Sequence, residues 1–246
     1  MGRITLKWYA SCFTDKTIMN ALIMTLQITL CAAVLSTLIG TLAAIGISAM
    51  KKRGTTLMLG ATNIPLLNAD IVTGISMMLL FVFAGQALAD FSGWLNNQEW
   101  AVNANLWFDF SFNLGFLTLL IAHITFNIPY VILSVMPRLK QLNPSVYEAA
   151  LDLGASPWQA FFKVVFPDLL PGVMSGFLMA FTMSLDDFII THFTKGPGVD
   201  TLSTKIYTEV KKGIKPEMYA LSTLIFMTVL VLLILVNKAP KPKEKQ

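Results

Sequence analysis

Apolar residues in this chain fall into long runs separated by short charged stretches. From Thr17 to Met50 there is no charged side chain. That exceeds the roughly 20 residues a helix needs to cross hydrocarbon, so a first membrane span is expected at about 20–47. Gly40, Ala43, Ala44 and Gly46 give it the small-residue face on which membrane helices pack. A second apolar region, Leu57 to Ala89, is interrupted by Pro65 and Asp70. This predicts a continuous span at 70–89 after a bent approach. Further spans are expected at about 113–135, 171–191 and 219–236. In the third, His123 and Asn127 stand four residues apart and share a face. That face is polar and should turn into the bundle, as a helix–helix hydrogen bond or as pathway lining. Pro129 should kink the same helix. In the fourth span, Pro171 suits a first-turn position. Gly172, Ser175, Gly176 and Ala180 supply a second small face. The expected fold class is all-α: a polytopic membrane helix bundle of five spans, with its N-terminus outside.

The polar stretches between the spans set the orientation. Residues 1–17 mix charges with Trp8, Tyr9 and Phe13, aromatics of the kind found at a membrane interface. Lys51, Lys52 and Arg53 follow the first span directly and should be cytoplasmic. Residues 90–112 hold Asp90, Glu99 and Asp109, no Lys or Arg, and a high density of aromatics, which suits the outer face. Residues 192–218, with five lysines and three acids, are placed outside as well. Ten Lys or Arg then lie in cytoplasmic segments against eight in outer ones, a thin margin for the positive-inside tendency. The tail after Asn237 is basic and proline-containing and reads as a disordered cytoplasmic end.

Composition narrows the function. Apolar residues make up 55% and charged residues 13%, against about 25% charged in soluble domains. The net charge of +4 comes from basic clusters between apolar runs, a pattern of membrane orientation and not of nucleic-acid binding. Cys12 and Cys31 are isolated and imply no disulfide or metal framework. There is no Gly-x-x-x-x-Gly-Lys-Ser/Thr loop, no Gly-x-Ser-x-Gly elbow and no His-Glu-x-x-His pair. Catalytic residues, metal ligands and cofactors are therefore not expected, and energy for any active process must come from a partner.

One polar, helix-forming stretch lies between the apolar runs: residues 148–167, Glu-Ala-Ala-Leu-Asp-Leu-Gly-Ala-Ser-Pro-Trp-Gln-Ala-Phe-Phe-Lys-Val-Val-Phe-Pro. Residues 148–153 favour helix, and Gly154 can end it at positive φ. Ser156 and Pro157 then read as the cap and first position of a new helix. The expected product is a compact two-helix knob at the membrane surface, flanked by Arg138, Lys140 and Lys163 and hence cytoplasmic.

Glu148-Ala149-Ala150, three residues, Gly154, nine residues, then Val-Val-Phe-Pro167 resembles the EAA loop of the permease subunits of ATP-binding-cassette (ABC) importers. That family ends the loop Ile-x-Leu-Pro, where this chain has Val164 and Phe166. Residues 122–131, Ser184-Leu-Asp-Asp-Phe188, Gly196-Pro197-Gly198 and Thr5-Leu-Lys-Trp-Tyr9 are similar to the spermidine/putrescine (PotC-type) permeases in particular, and the likeness runs from about Gly2 to Asn237. The resemblance implies a MetI-like permease domain over 18–237 with a cytoplasmic coupling loop at 137–170. Residues 1–17 would be an extracytoplasmic interfacial segment and 238–246 a cytoplasmic tail. It implies ATPase coupling through Glu148, Ala149, Ala150, Asp152, Gly154, Ala155 and Pro167. Implied partners are a cytoplasmic ABC ATPase dimer, a second PotB-like permease, an extracytoplasmic polyamine-binding protein and the lipid bilayer, with no nucleic acid. The implied location is the bacterial cytoplasmic membrane, and the implied cargo spermidine or putrescine. Family members carry a sixth helix ahead of the Trp-Tyr segment, so the chain is expected to lack that first helix, through a late start or as a natural variant or fragment. A permease for another cationic or amino-acid-like solute remains an alternative, as does an ATPase-independent channel or scaffold.

Asp186 and Asp187 are the foremost pathway candidates. An acid near the bilayer centre costs on the order of 2.5–3.5 kcal/mol on insertion scales. The pair comes about fifteen residues, some 22 Å, into the expected span. On a helix the two would point ~100° apart, one to the pathway and one to a neighbour. Both pairing with Lys195, Lys205 or a partner's basic residue is the other reading. Carboxylates and aromatic rings are what a polycationic cargo needs. Asp70, in a stretch similar to the family's Pro-(acid)-Ile-Val-x-Gly-Ile pattern but with Ala69 where the family usually has proline, is open to two roles, capping its span or lining the pathway.

Overall fold

Ten α-helices carry the described residues, 15–98, 109–110, 112–213 and 216–238 of a computed structural model. They are α1 (Lys16–Ser48), α2 (Lys52–Leu67), α3 (Asp70–Asn96), α4 (Phe116–Gln141), α5 (Pro144–Asp152), α6 (Pro157–Ala160), α7 (Phe166–Asp186), α8 (Ile189–Thr194), α9 (Leu202–Lys212) and α10 (Pro216–Lys238). A single π-helical turn, Phe161–Val165, joins α6 to α7. Among the described residues there is no strand.

The core is the three-helix contact of α1, α4 and α7. Small residues allow it. A Cβ on Gly40 of α1 would stand 2.7 Å from Val131 Cβ of α4, and one on Gly176 of α7 would stand 3.2 Å from Val131 Cγ1. Val131 is thus gripped between two glycines and fully buried. Ala33, Ala44, Val135 and Ala180 continue the seam. Close backbone approach of this kind substitutes for the hydrophobic drive that is missing between helices in lipid.

Local chemistry explains the ends. Asp15 caps α1, accepting from Thr17 N–H and Thr17 Oγ1, each at 2.7 Å. Those bonds hold its carboxyl below the usual range. Residues 52–67 are helical, where only a bent approach was expected, and Pro65 lies inside the helix. The chain then extends at Asn68 and Ala69 before α3 begins. Pro129 and Pro137 sit inside α4, which runs six residues beyond the expected end at 135.

Pro171 is interior to α7 and not in a first turn. The reason lies upstream. Pro167 and Pro171 each lack an N–H, so the ladder is already short of donors there. The π turn absorbs the mismatch with Phe166 N–H bonding to Phe161 O, and helix continues from the hairpin into the core.

Four helical segments are long and apolar enough to cross a membrane: Lys16–Ser48, Asp70–Asn96, Phe116–Gln141 and Pro157–Asp186. The expected fifth span corresponds to α10, whose apolar stretch is Tyr219–Val231. Residues 195–204 are not a free outer loop. Thr201, Leu202 and Thr204 are buried, and Leu202 N–H donates to Thr25 Oγ1 of α1 at 2.8 Å. Trp8, Tyr9, Cys12, Phe13, Glu99, Trp100, Trp107 and the tail after Lys238 lie outside the described residues. Cys31 is free and exposed.

Candidate functional site

The fourth span is broken where its two acids stand. α7 ends at Asp186, and Asp187 adopts extended backbone (φ −63, ψ 125). Two residues later α8 begins, its last residue bonded back to α4 through Thr118 Oγ1 to Thr194 O at 2.9 Å. A span interrupted inside a bundle must have its freed backbone groups satisfied. Asp187 does this itself. Its Oδ1 accepts from Ile190 N–H at 3.3 Å, and its Oδ2 from Thr191 N–H at 2.7 Å and Thr191 Oγ1 at 2.9 Å. Ser203 Oγ of α9 donates to the Asp187 carbonyl at 2.7 Å.

His123 closes the network from α4. Its Nε2 lies 3.0 Å from Thr191 Oγ1 and 3.6 Å from Asp187 Oδ2. One turn deeper, Asn127 Nδ2 donates to Ser184 Oγ of α7 at 2.6 Å. Both side chains are buried, so the shared polar face does turn inward and makes helix–helix bonds. His123 is seven residues, about 10 Å, inside the start of α4. The break therefore lies beside α4 about 10 Å from that helix's start, not at its end.

Asp186 has a different environment. It is exposed and has no hydrogen bond or ion pair among the described residues. Lys195 pairs with Asp200 and Lys205 with Glu209, so neither takes up the acids at the break. Asp186 lines a groove of about 300 Å³ between α7, α9 and α10, with Leu185, Phe188, Ser203, Ile206 and Phe226. The two acids face apart as expected, but the cause is the helix break, not the 100° turn of a continuous helix. Asp70 is remote in role: Ala69 occupies the cap, Asp70 is the first helical residue, and no side-chain cap bond forms. An acid in a first turn still favours the helix dipole. Sequence reading missed Ser184, Thr191 and Ser203. Single hydroxyls carry no pattern, and only the fold brings them to Asn127 and Asp187.

The second site is the hairpin of α5 and α6. It begins earlier than Glu148, at Pro144, because Asn143 Oδ1 accepts from Ser145 N–H at 3.1 Å and Pro144 takes the first turn. Gly154 stands at φ +86 and closes the helix: Gly154 N–H bonds Leu151 O at 2.9 Å and Ala155 N–H bonds Ala150 O at 3.1 Å, a Schellman pair. Ser156 and Gln159 then form a reciprocal capping box, at 3.3 and 3.2 Å. The two-helix knob with a glycine bend is as the residues imply. Glu148, Ala149, Asp152, Gly154 and Pro167 are exposed, and Ala150 and Ala155 half-buried. At the apex Leu153 is 89% exposed and Trp158 74%, with the Trp158 ring stacked on Phe162 at 5.6 Å. Apolar side chains so exposed beside a polar helix mark a contact surface. No group of three or more His, Cys, Asp or Glu able to hold a metal occurs among the described residues.

An all-helical, multi-pass bundle with a broken span and a protruding hairpin is the architecture of a membrane transport subunit. Residues 36–243 match the family described as "Binding-protein-dependent transport system inner membrane component", and the chain belongs to that family. It is 37% identical over 220 residues to the putrescine transport system permease protein PotI of Escherichia coli K12, covering 89% of this chain and 71% of the relative. It is 32% identical over 241 residues to the spermidine/putrescine permease protein PotC of the same strain, covering 98% and 81%. The PotC of Haemophilus influenzae is 34% identical over 228 residues, covering 93% and 79%. Among solved structures, a bacterial ABC transporter importing alginate superposes with TM-score 0.69 at 17% identity, over 96% of this chain and 83% of the other. An amino acid ABC transporter superposes with TM-score 0.57 at 17% identity, over 96% and 97%. The fold is thus that of ABC importer permeases, and the chain is a transport component and not an enzyme.

Proposed function

We propose that this chain is a permease subunit of an ATP-driven, binding-protein-dependent importer of polyamines, spermidine or putrescine, in the bacterial cytoplasmic membrane. The observation that carries the cargo is the identity of 32–37% over most of the chain to permeases named for these two amines. The chemistry agrees with it. Asp186 is an unpaired carboxylate in a groove otherwise lined largely by apolar and aromatic side chains. Ammonium groups joined by methylenes need that combination.

Two ATPase subunits drive the assembly, one of them seated on the α5–α6 hairpin, with a second PotB-like permease beside the chain and a polyamine-binding protein on the outer face. The hairpin is cytoplasmic in this reading, residues 137–170 form the coupling loop, and 238–246 the cytoplasmic tail. Glu148, Ala149, Ala150, Asp152, Gly154, Ala155 and Pro167 shape the docking surface, to which the exposed Leu153 and Trp158 add apolar anchors. Helical residues run without a gap from α6 through the π turn into α7, so movement of the hairpin reaches the break at Asp187 along one continuous segment. Asp186 faces the cargo, while Asp187, His123 and Asn127 hold the break. Asp70 lies at the first turn of α3 and takes no part in that network.

The test is uptake of radiolabelled putrescine and spermidine into cells lacking other polyamine importers, with this chain and its partner subunits restored. Energy-dependent uptake abolished by excess unlabelled polyamine, and not by amino acids, supports the reading. Uptake of neither amine overturns the cargo. Transport without a copurifying ATPase overturns the importer assignment.

A further inference from the structure

Tyr207 of α9 shows a feature that the transport reading does not use. Its ring carries an ammonium: Lys211 Nζ lies 4.5 Å from the ring centroid, within the range at which a cation is held by an aromatic face. Lys211 has no carboxylate partner among the described residues, because Glu209, the nearby acid, is shared by Lys205 at 3.3 Å and Lys212 at 4.0 Å. The Tyr207 ring is partly exposed and meets Phe188 at 4.6 Å between centroids. Phe188 in turn lines the groove that holds Asp186. An unpaired carboxylate, an aromatic surface and a second aromatic face already bearing an ammonium therefore form a continuous strip across α7, the break and α9.

We propose that the Tyr207 ring is a second cation station, kept by Lys211 between cargoes, and that Asp186 and Tyr207 receive the two ammonium ends of an aliphatic diamine whose methylenes cross Phe188. The inference rests on the polyamine reading and assigns the groups within it. A lysine side chain is a primary ammonium on four methylenes, chemically one end of such a diamine. The ring accepts that group in this protein, and a weak cation–π contact at an exposed ring exchanges readily for a competing ammonium. The carboxylate supplies charge at one end and the ring supplies polarisable surface at the other. A cargo with one ammonium then gains from one station only.

The experiment places 3-fluorotyrosine at position 207 of the full chain, in the assembled transporter in lipid nanodiscs, and follows its fluorine resonance during titration with putrescine. A saturable shift is expected, absent with sodium chloride at the same ionic strength and requiring at least threefold more butylamine than putrescine for half effect. Asp186→Asn should raise the putrescine midpoint at least fivefold. Lys211→Gln, which removes the resident ammonium, should lower it at least threefold. No saturable shift, an equal response to sodium, or a midpoint unmoved by Asp186→Asn or by Lys211→Gln overturns the proposal. Putrescine uptake by the same complex separates the failures. Uptake present with Tyr207 unresponsive removes only the second station; uptake absent removes the cargo reading and the station with it.

Discussion

Asn127 of α4 donates to Ser184 Oγ of α7 at 2.6 Å, three residues before the break in the span. The pair ties the end of α7 to the core while Asp187 is tied separately to α8. Hydrogen bonds between membrane helices average about 0.6 kcal/mol in coupling and reach about 1.7. A double-mutant cycle of Asn127→Leu and Ser184→Ala, read by unfolding in mixed micelles, should return a coupling of about 1 kcal/mol. Strict additivity would mean that the bond does not hold the helices.

The neighbouring acids should separate cleanly. Asp187→Ala removes three accepted bonds at the start of α8, at a cost of about 1 kcal/mol or more. It should lower the melting temperature of the purified complex. Asp186→Asn touches no bond and should leave melting unchanged while reducing polyamine uptake by on the order of tenfold, the effect of about 1.4 kcal/mol. Equal thermal losses in both variants would count against the division of labour.

Gly154 is required by its backbone, not by space. It stands at φ +86, and nothing lies within 4 Å of where a Cβ would sit. An L-residue there costs about 1–2 kcal/mol in local conformation, least for Asn. Gly154→Asp should insert into the membrane normally yet uncouple ATP hydrolysis from uptake, with Gly154→Asn retaining more uptake than Gly154→Val. Wild-type uptake by Gly154→Asp would remove the coupling role.

Gly40 is the opposite case, where room decides. Gly40→Ala puts a methyl 2.7 Å from Val131 Cβ, an overpacking worth about 1–3 kcal/mol. Gly40→Ala should therefore melt earlier, and its cost should be smaller in a Val131→Gly background, where the Cβ it meets is gone. An equal cost of Gly40→Ala in both backgrounds would show that the contact is not what Gly40 serves.

Much of this was legible in the residues. Apolar runs located the spans, although the fourth begins upstream of its expected start and ends at Asp186, and the Gly154, Ser156-Pro157 sequence gave the hairpin, because caps and positive-φ turns are written locally. The polar face of His123 and Asn127 was readable from a four-residue spacing. What was not legible depends on distant partners. Nothing local distinguishes Asp187 from Asp186; the difference is made by Thr191, Ser203 and His123, which the fold delivers. The helical run through Pro167 and Pro171 was hidden for the same reason. A π turn is a register adjustment forced by missing donors, and composition does not announce it. The capping role open to Asp70 went to Ala69, because the chain is already extended one residue earlier than the acid.

The ion pairs of the 192–218 stretch also change what an approaching solute meets. The 192–218 stretch holds five lysines, a forbidding sight for a polycation. Yet Lys195 is matched by Asp200, Lys205 and Lys212 share Glu209, and Lys211 lies on Tyr207. Two carboxylates thus face three of these lysines, and a neutral ring leaves the charge of Lys211 in place, so the stretch stays net positive. A doubly charged amine that nears this stretch meets a repulsion confined to the ~8 Å screening distance of physiological salt, and lower ionic strength lengthens its reach.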